Sequence, residues 1–147
     1  MNTKLYKKKW VAALALAGAV SLAASCQTMM MGGSEQVSLT GASEVPAVQT
    51  SASGSGTVTI KDDRSVAAKI TVTGMTATAA HIHEAAAGSN GPVIVPFNKT
   101  GDNTFEAPAD AKLTEAQYAS YKAGKLYVNV HSAKSPGGEI RAQLKGS

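Results

Sequence analysis

A single cysteine, Cys26, rules out an intramolecular disulfide, so this chain folds without covalent staples. Aromatic side chains are scarce: one Trp, four Tyr and two Phe. Two of them, Tyr6 and Trp10, fall in the first ten residues, so any core has to be built mainly from Val, Ile, Leu and Ala. No apolar run reaches the roughly 18–20 residues of a membrane-spanning helix. Neither a Gly-x-Ser-x-Gly turn nor a phosphate-binding Gly-Lys-Ser/Thr loop occurs, which removes the usual signatures of serine hydrolases and nucleotidases. Net basicity is also illusory. Four of the 14 basic residues are Lys4, Lys7, Lys8 and Lys9, and beyond residue 25 ten basic residues face ten acidic ones. A neutral domain gives no basis for binding nucleic acid.

The N-terminus reads as an address. The four lysines precede an apolar run from Trp10 to Ala24, which has the length of a secretory signal core. Leu22-Ala23-Ala24-Ser25-Cys26 resembles a bacterial lipobox, although Ala23 stands where leucine is usual. The resemblance implies a signal peptide over 1–25, lipidation at Cys26, and anchoring to a membrane by acyl chains. Gln27 in place of aspartate then implies outer-membrane sorting in a Gram-negative cell envelope, on its periplasmic or surface side. Residues 26–35, with Met29-Met30-Met31-Gly32-Gly33-Ser34, read as a flexible tether. Residues 36–147 are left for one small domain.

That domain is rich in β-branched residues at alternating positions. Gln36–Thr40 and Gly56–Lys61 alternate, and Asp62-Asp63-Arg64-Ser65 reads as a turn into a strand over Val66–Thr73. Further strands are expected at His81–His83, Val93–Phe97 (halted by Pro96), Asn103–Glu106, Leu126–His131 and Glu139–Leu144. One short helix is expected near 115–123. Thr114 and Gln117 have capping-box spacing, Leu113 can staple onto Tyr118, and Gly124 provides the stop. Close-spaced strands with one connector helix predict an all-β antiparallel sandwich or barrel. Val58, Ile70, Val72, Ile82, Val128, Val130, Ile140 and Leu144 are its expected interior.

The chain has three histidines: His81 and His83 in Ala-His-Ile-His-Glu, and His131 in Tyr-Val-Asn-Val-His. Strand side chains alternate between faces, so His81 and His83 share one face, about 6.5–7 Å apart at Cα. With Ile82, Val128 and Val130 inward, all three imidazoles lie on the outer face, joined by Tyr127 and Asn129. Glu84 has the opposite parity and joins them only if the chain turns there. Pairing Asn129 with Arg141 puts Glu139 opposite His131, where it can orient that imidazole, with Arg141 at the rim. Three neutral nitrogens with an open position suit copper, or zinc as the alternative. Solvated surface histidines are the bland alternative.

Leu39-Thr40-Gly41-Ala42-Ser43-Glu44-Val45-Pro46, Ala80-His81-Ile82-His83, Gly88-Ser89-Asn90-Gly91-Pro92-Val93, Leu126–His131 and Pro136–Leu144 together resemble the CHRD (chordin) domain over residues 36–144. Glu84 departs from a common glycine and Ala47 from a common proline. The His-x-His strand, the late Val-His and the Gly-rich loop leading to Arg141 also bear a distant likeness to copper/zinc superoxide dismutase. That likeness implies an immunoglobulin-like Greek-key barrel, copper ligation by His81, His83 and His131, and an anion-guiding Arg141. A bridging fourth histidine, a zinc-ligand set and a disulfide are missing. The expectation is therefore a lipid-anchored copper protein for sequestration, delivery or sensing, with a metal donor or acceptor protein as its partner. A structural or adhesive envelope module, or a copper-only dismutase-like enzyme, stand as alternatives.

Overall fold

Alternation of β-branched and polar residues underlies most of the nine strands among the residues that the computed structural model describes, 33–146. They are β1 (Gly33–Thr40), β2 (Ser53–Ile60), β3 (Val66–Thr73), β4 (Ala77–Glu84), β5 (Val93–Pro96), β6 (Asn98–Gly101), β7 (Thr104–Glu106), β8 (Leu126–Ser132) and β9 (Ile140–Gln143). All pairings are antiparallel, in the order β5-β4-β8-β9-β1-β2-β3-β7-β6. The two end strands, β5 and β6, are consecutive in sequence with only Phe97 between them. Phe97 N donates to Ala80 O of β4 at 3.0 Å, and Lys99 Nζ of β6 to Ala77 O at 2.9 Å. The sheet thus curls until its ends nearly meet, the all-β barrel-like sandwich that the sequence predicts.

The expected interior is the observed one. Val58, Ile70, Val72, Ile82, Val128, Val130, Ile140 and Leu144 are all buried in one cluster with Leu39, Ile60 and Phe105. The hairpin β2–β3 pairs Ile60 with Val66 across the predicted turn, and β8–β9 pairs Asn129 with Arg141, the predicted register. The helix α1 runs Glu115–Lys122, with both halves of the Thr114/Gln117 capping box formed. Gly124 ends it at φ +69°, a conformation that costs glycine little.

Two expectations are corrected. Residues 33–35 are not tether: β1 starts at Gly33, pairs there with Ile60, and is tied down by Glu35. The Glu35 carboxylate accepts from Tyr121 Oη at 3.0 Å, Lys145 N at 2.7 Å and Gly146 N at 3.1 Å, closing one end of the barrel. Second, β6 was not foreseen; all four of its residues are exposed, so it has no apolar alternation to reveal it. The signal peptide, Cys26 and the three methionines lie outside the described residues.

Candidate metal centre

Strand pairing builds the site as a grid on the outer face of β4, β8 and β9. His81 lies opposite Asn129, and Asn129 opposite Arg141; His83 lies opposite Tyr127, and Tyr127 opposite Gln143; Ala79 lies opposite His131. The histidines expected on one face are on one face. One ring nitrogen from each of His81, His83 and His131 lies within 4.8 Å of the others, so the three could hold a metal ion.

The protonation of each ring follows from its partner. His83 Nδ1 is 2.9 Å from Gly91 O, and His131 Nδ1 is 2.9 Å from Pro136 O. A carbonyl can only accept, so both neutral rings carry their proton on Nδ1 and present a bare Nε2. His81 Nδ1 is 3.0 Å from His131 Nε2 and donates to it. A neutral His81 frees that nitrogen by moving its proton to Nε2. Two ligands at about 2.05 Å from one ion lie roughly 2.9–3.4 Å apart for bond angles of 90–110°. The His81–His131 pair, at 3.0 Å, already has that spacing, while the widest pair, within 4.8 Å, has to close by roughly 1.4–1.9 Å to share an ion.

The face is not solvated as expected. His83, Tyr127, Asn129, Glu139 and Arg141 are buried, and His81 and His131 are half-buried. The reason is residues 85–92, which fold back over this face. Arg141 Nη1 donates to Ser89 O at 2.9 Å and to Asn90 Oδ1 at 3.2 Å, and Arg141 Nη2 to Gln143 Oε1 at 3.1 Å. Gln143 Nε2 donates to Ala85 O at 3.0 Å, and Gly91 N to Tyr127 Oη at 3.2 Å. Arg141 is therefore not a rim cation. Its guanidinium lies 3.4 Å from the Tyr127 ring centre, and the opposite end of the same stack is His83, parallel to Tyr127 within 8° at 4.8 Å.

Glu139 does not orient His131. Its carboxylate accepts from Thr50 Oγ1 at 2.6 Å and from Ser132 Oγ, and these hydroxyls hold it below the usual carboxylate range. The loop between β8 and β9 brings Pro136 O to His131 instead, so a backbone carbonyl takes the role expected of the carboxylate. Glu84 continues β4, paired with Leu126, and stays off the imidazole face. Glu44, to which the sequence reading gave no role, is buried just after the one-turn helix Gly41–Ser43. Burial raises its carboxyl, against the attraction of Arg141. Its only signal in the sequence was its place in the Leu39–Pro46 motif.

Burial, then repulsion from His131 and His83, pulls His81 down to about 4. Burial also lowers His83, against the Gly91 bond that favours its charged form. Both rings thus stay neutral, and ready to ligate, below the free-histidine value of about 6.5, His81 down to about 4. Between those values the unfolded chain binds more protons than the native one, so the stability linked to His81 is complete above about pH 6.5 and declines as pH falls towards 4. Titration of the metal-free chain by NMR is expected to place the His81 midpoint near 4. A midpoint near 6.5 would show that the ring is neither desolvated nor crowded by its neighbours.

Comparison with the curated proteins and with the solved structures gives no match. The family comparison does: the CHRD domain model matches residues 36–144, almost all of the folded unit just described. The chain belongs to the CHRD-domain family.

Proposed function

We propose that this CHRD domain binds one copper ion through His81 Nδ1, His83 Nε2 and His131 Nε2, and that it does so in the cell envelope, tethered by a lipid on Cys26. The observation that carries the copper reading is the convergence of three imidazoles within 4.8 Å, one of them with a buried, unpaired Nε2. An unpaired buried acceptor costs about 1–3 kcal/mol, and a bound cation relieves that cost. Neutral imidazole suits copper and zinc, and copper(II) binds such donors more tightly under the Irving–Williams order. The His83–Tyr127–Arg141 stack and the Gly91 and Pro136 carbonyls pre-orient two of the three rings, so little ordering is left to copper binding. With three histidines in the chain, a histidine-bridged second metal has no fourth imidazole to use, which favours sequestration, delivery or sensing over two-metal chemistry.

The test is metal retention by the purified chain after exposure to copper(II) and zinc(II) together. One copper per chain is expected, with nitrogen couplings in its EPR spectrum. Equal retention by a chain with His81, His83 and His131 all replaced by alanine would refute the reading. The anchor is tested separately: Cys26→Ser is expected to leave the chain unprocessed or free of membranes. Membrane attachment that survives the substitution would count against lipidation.

A further inference from the structure

We infer that Asn129 supplies a fourth donor to the same metal centre, its carboxamide oxygen, and that Glu44 is the positioning residue that aims it. This rests on the three-histidine reading and extends it from a three-nitrogen site to one of three nitrogens and an oxygen.

Asn129 occupies the grid position that the imidazoles surround. It lies opposite His81 across the β4–β8 ladder, on the diagonal from His83, and two residues before His131 on the same face of β8. It is 2 % exposed. Three buried side-chain nitrogen or oxygen atoms in the described residues have no hydrogen-bond partner: His83 Nε2, Asn129 Oδ1 and Glu44 Oε1. All three belong to one neighbourhood. Asn129 lies close enough to Glu44 and to His83 to favour the charged form of each. A Cβ on Gly138 would sit 2.5 Å from Glu44 Oε1 and 2.6 Å from Asn129 Nδ2. Gly138, at φ +126°, closes over the pair where no other residue fits.

The chemistry of the three atoms points one way. His83 Nε2 bears a lone pair, because its other nitrogen donates to Gly91 O. Asn129 Oδ1 bears only lone pairs. Two buried acceptors side by side with no donor lack what a cation provides. The carboxamide nitrogen of Asn129 turns towards the Glu44 carboxyl, which leaves the oxygen directed to the histidine side. Amide oxygen is an accepted ligand alongside imidazole for copper(II).

The experiment uses copper(II) as the probe on the purified chain, with affinity by competition and coordination by EPR. Asn129→Ala is expected to weaken copper(II) binding at least about tenfold and to shift the copper hyperfine parameters, while the histidine nitrogen couplings persist. Asn129→Asp, isosteric and anionic, is expected to tighten binding and shift the spectrum. Glu44→Gln is expected to weaken binding less than Asn129→Ala does. Unchanged affinity and spectrum in Asn129→Ala would overturn the inference and identify the two acceptors as a water-bridged pair. If the alanine variant fails to fold, Asn129→Asp decides alone, and a wild-type spectrum and affinity overturn the inference. Copper without histidine couplings in the wild-type chain would overturn the three-histidine reading and this inference with it. Histidine-coupled copper that is indifferent to residue 129 overturns this one alone.

Discussion

Replacing His83 with alanine is expected to lower copper affinity by more than about 100-fold, the largest single effect on this site. A lost orienting partner costs a metal site about 10–100-fold, and the loss of a ligand exceeds that. His83 is singled out among the three because it is the most fixed. The residue is 8 % exposed, its ring is stacked on Tyr127 and held by Gly91 O, and its Nε2 has no hydrogen-bond partner. His81 and His131 bond each other in the free site, so copper has to displace the proton between them to use them, whereas His83 Nε2 gives up no bond. His83→Ala should therefore cost more affinity than His81→Ala. It should also cost stability, roughly 1–3 kcal/mol, because the Tyr127 stack and the Gly91 bond go with the ring, and the removal of one unsatisfied acceptor offsets only part of that. Competition titration with a chelator of known copper affinity measures the first, and urea unfolding of the metal-free chain the second. An affinity within about threefold of wild type would remove His83 from the ligand set.

The second large effect falls on stability. Arg141→Ala is expected to cost roughly 3–5 kcal/mol, a large part of the 5–15 kcal/mol typical of a domain. Arg141 is 1 % exposed, and its guanidinium ties β9 to Ser89 and Asn90, bonds Gln143 along the same strand, and covers the Tyr127 ring. It also faces the buried carboxyl of Glu44, which loses its compensating charge when Arg141 is removed. Residues 85–92 should then lift from the sheet, become cleavable by added protease, and take Gly91 away from His83. Lysine is no substitute, because a point charge cannot fork between Ser89 and Gln143. Urea midpoints and limited proteolysis test both statements. A loss below about 1 kcal/mol with residues 85–92 still protected would mean that other contacts hold the covering segment.

The copper reading and the stability of the covering segment are thus linked through one stack. Arg141 lies on Tyr127, Tyr127 on His83, and His83 faces the other two imidazoles. Variation along that stack is expected to move copper affinity and loop protection together.

Local pattern determined a good deal of this protein. Alternation at Val66–Thr73 and Leu126–His131 names both the strands and their inward faces, because side chains on a strand change sides at every residue whatever the strand pairs with. The same parity puts His81, His83 and His131 on one side. The spacing of Thr114 and Gln117 starts the helix, since a capping box is satisfied within four residues. What parity cannot say is what lies above a face. Only the folding back of residues 85–92, held by Arg141 and Gln143, turns an outer face into a buried one. The tertiary structure likewise gives Glu139 to Thr50, 89 residues away, and leaves His131 to a backbone carbonyl. It also brings Glu44 beside Asn129 under Gly138, three positions distant in sequence whose meeting no local spacing encodes. The side on which a residue lies is a property of its own strand; its partners on that side are set by how distant segments pack.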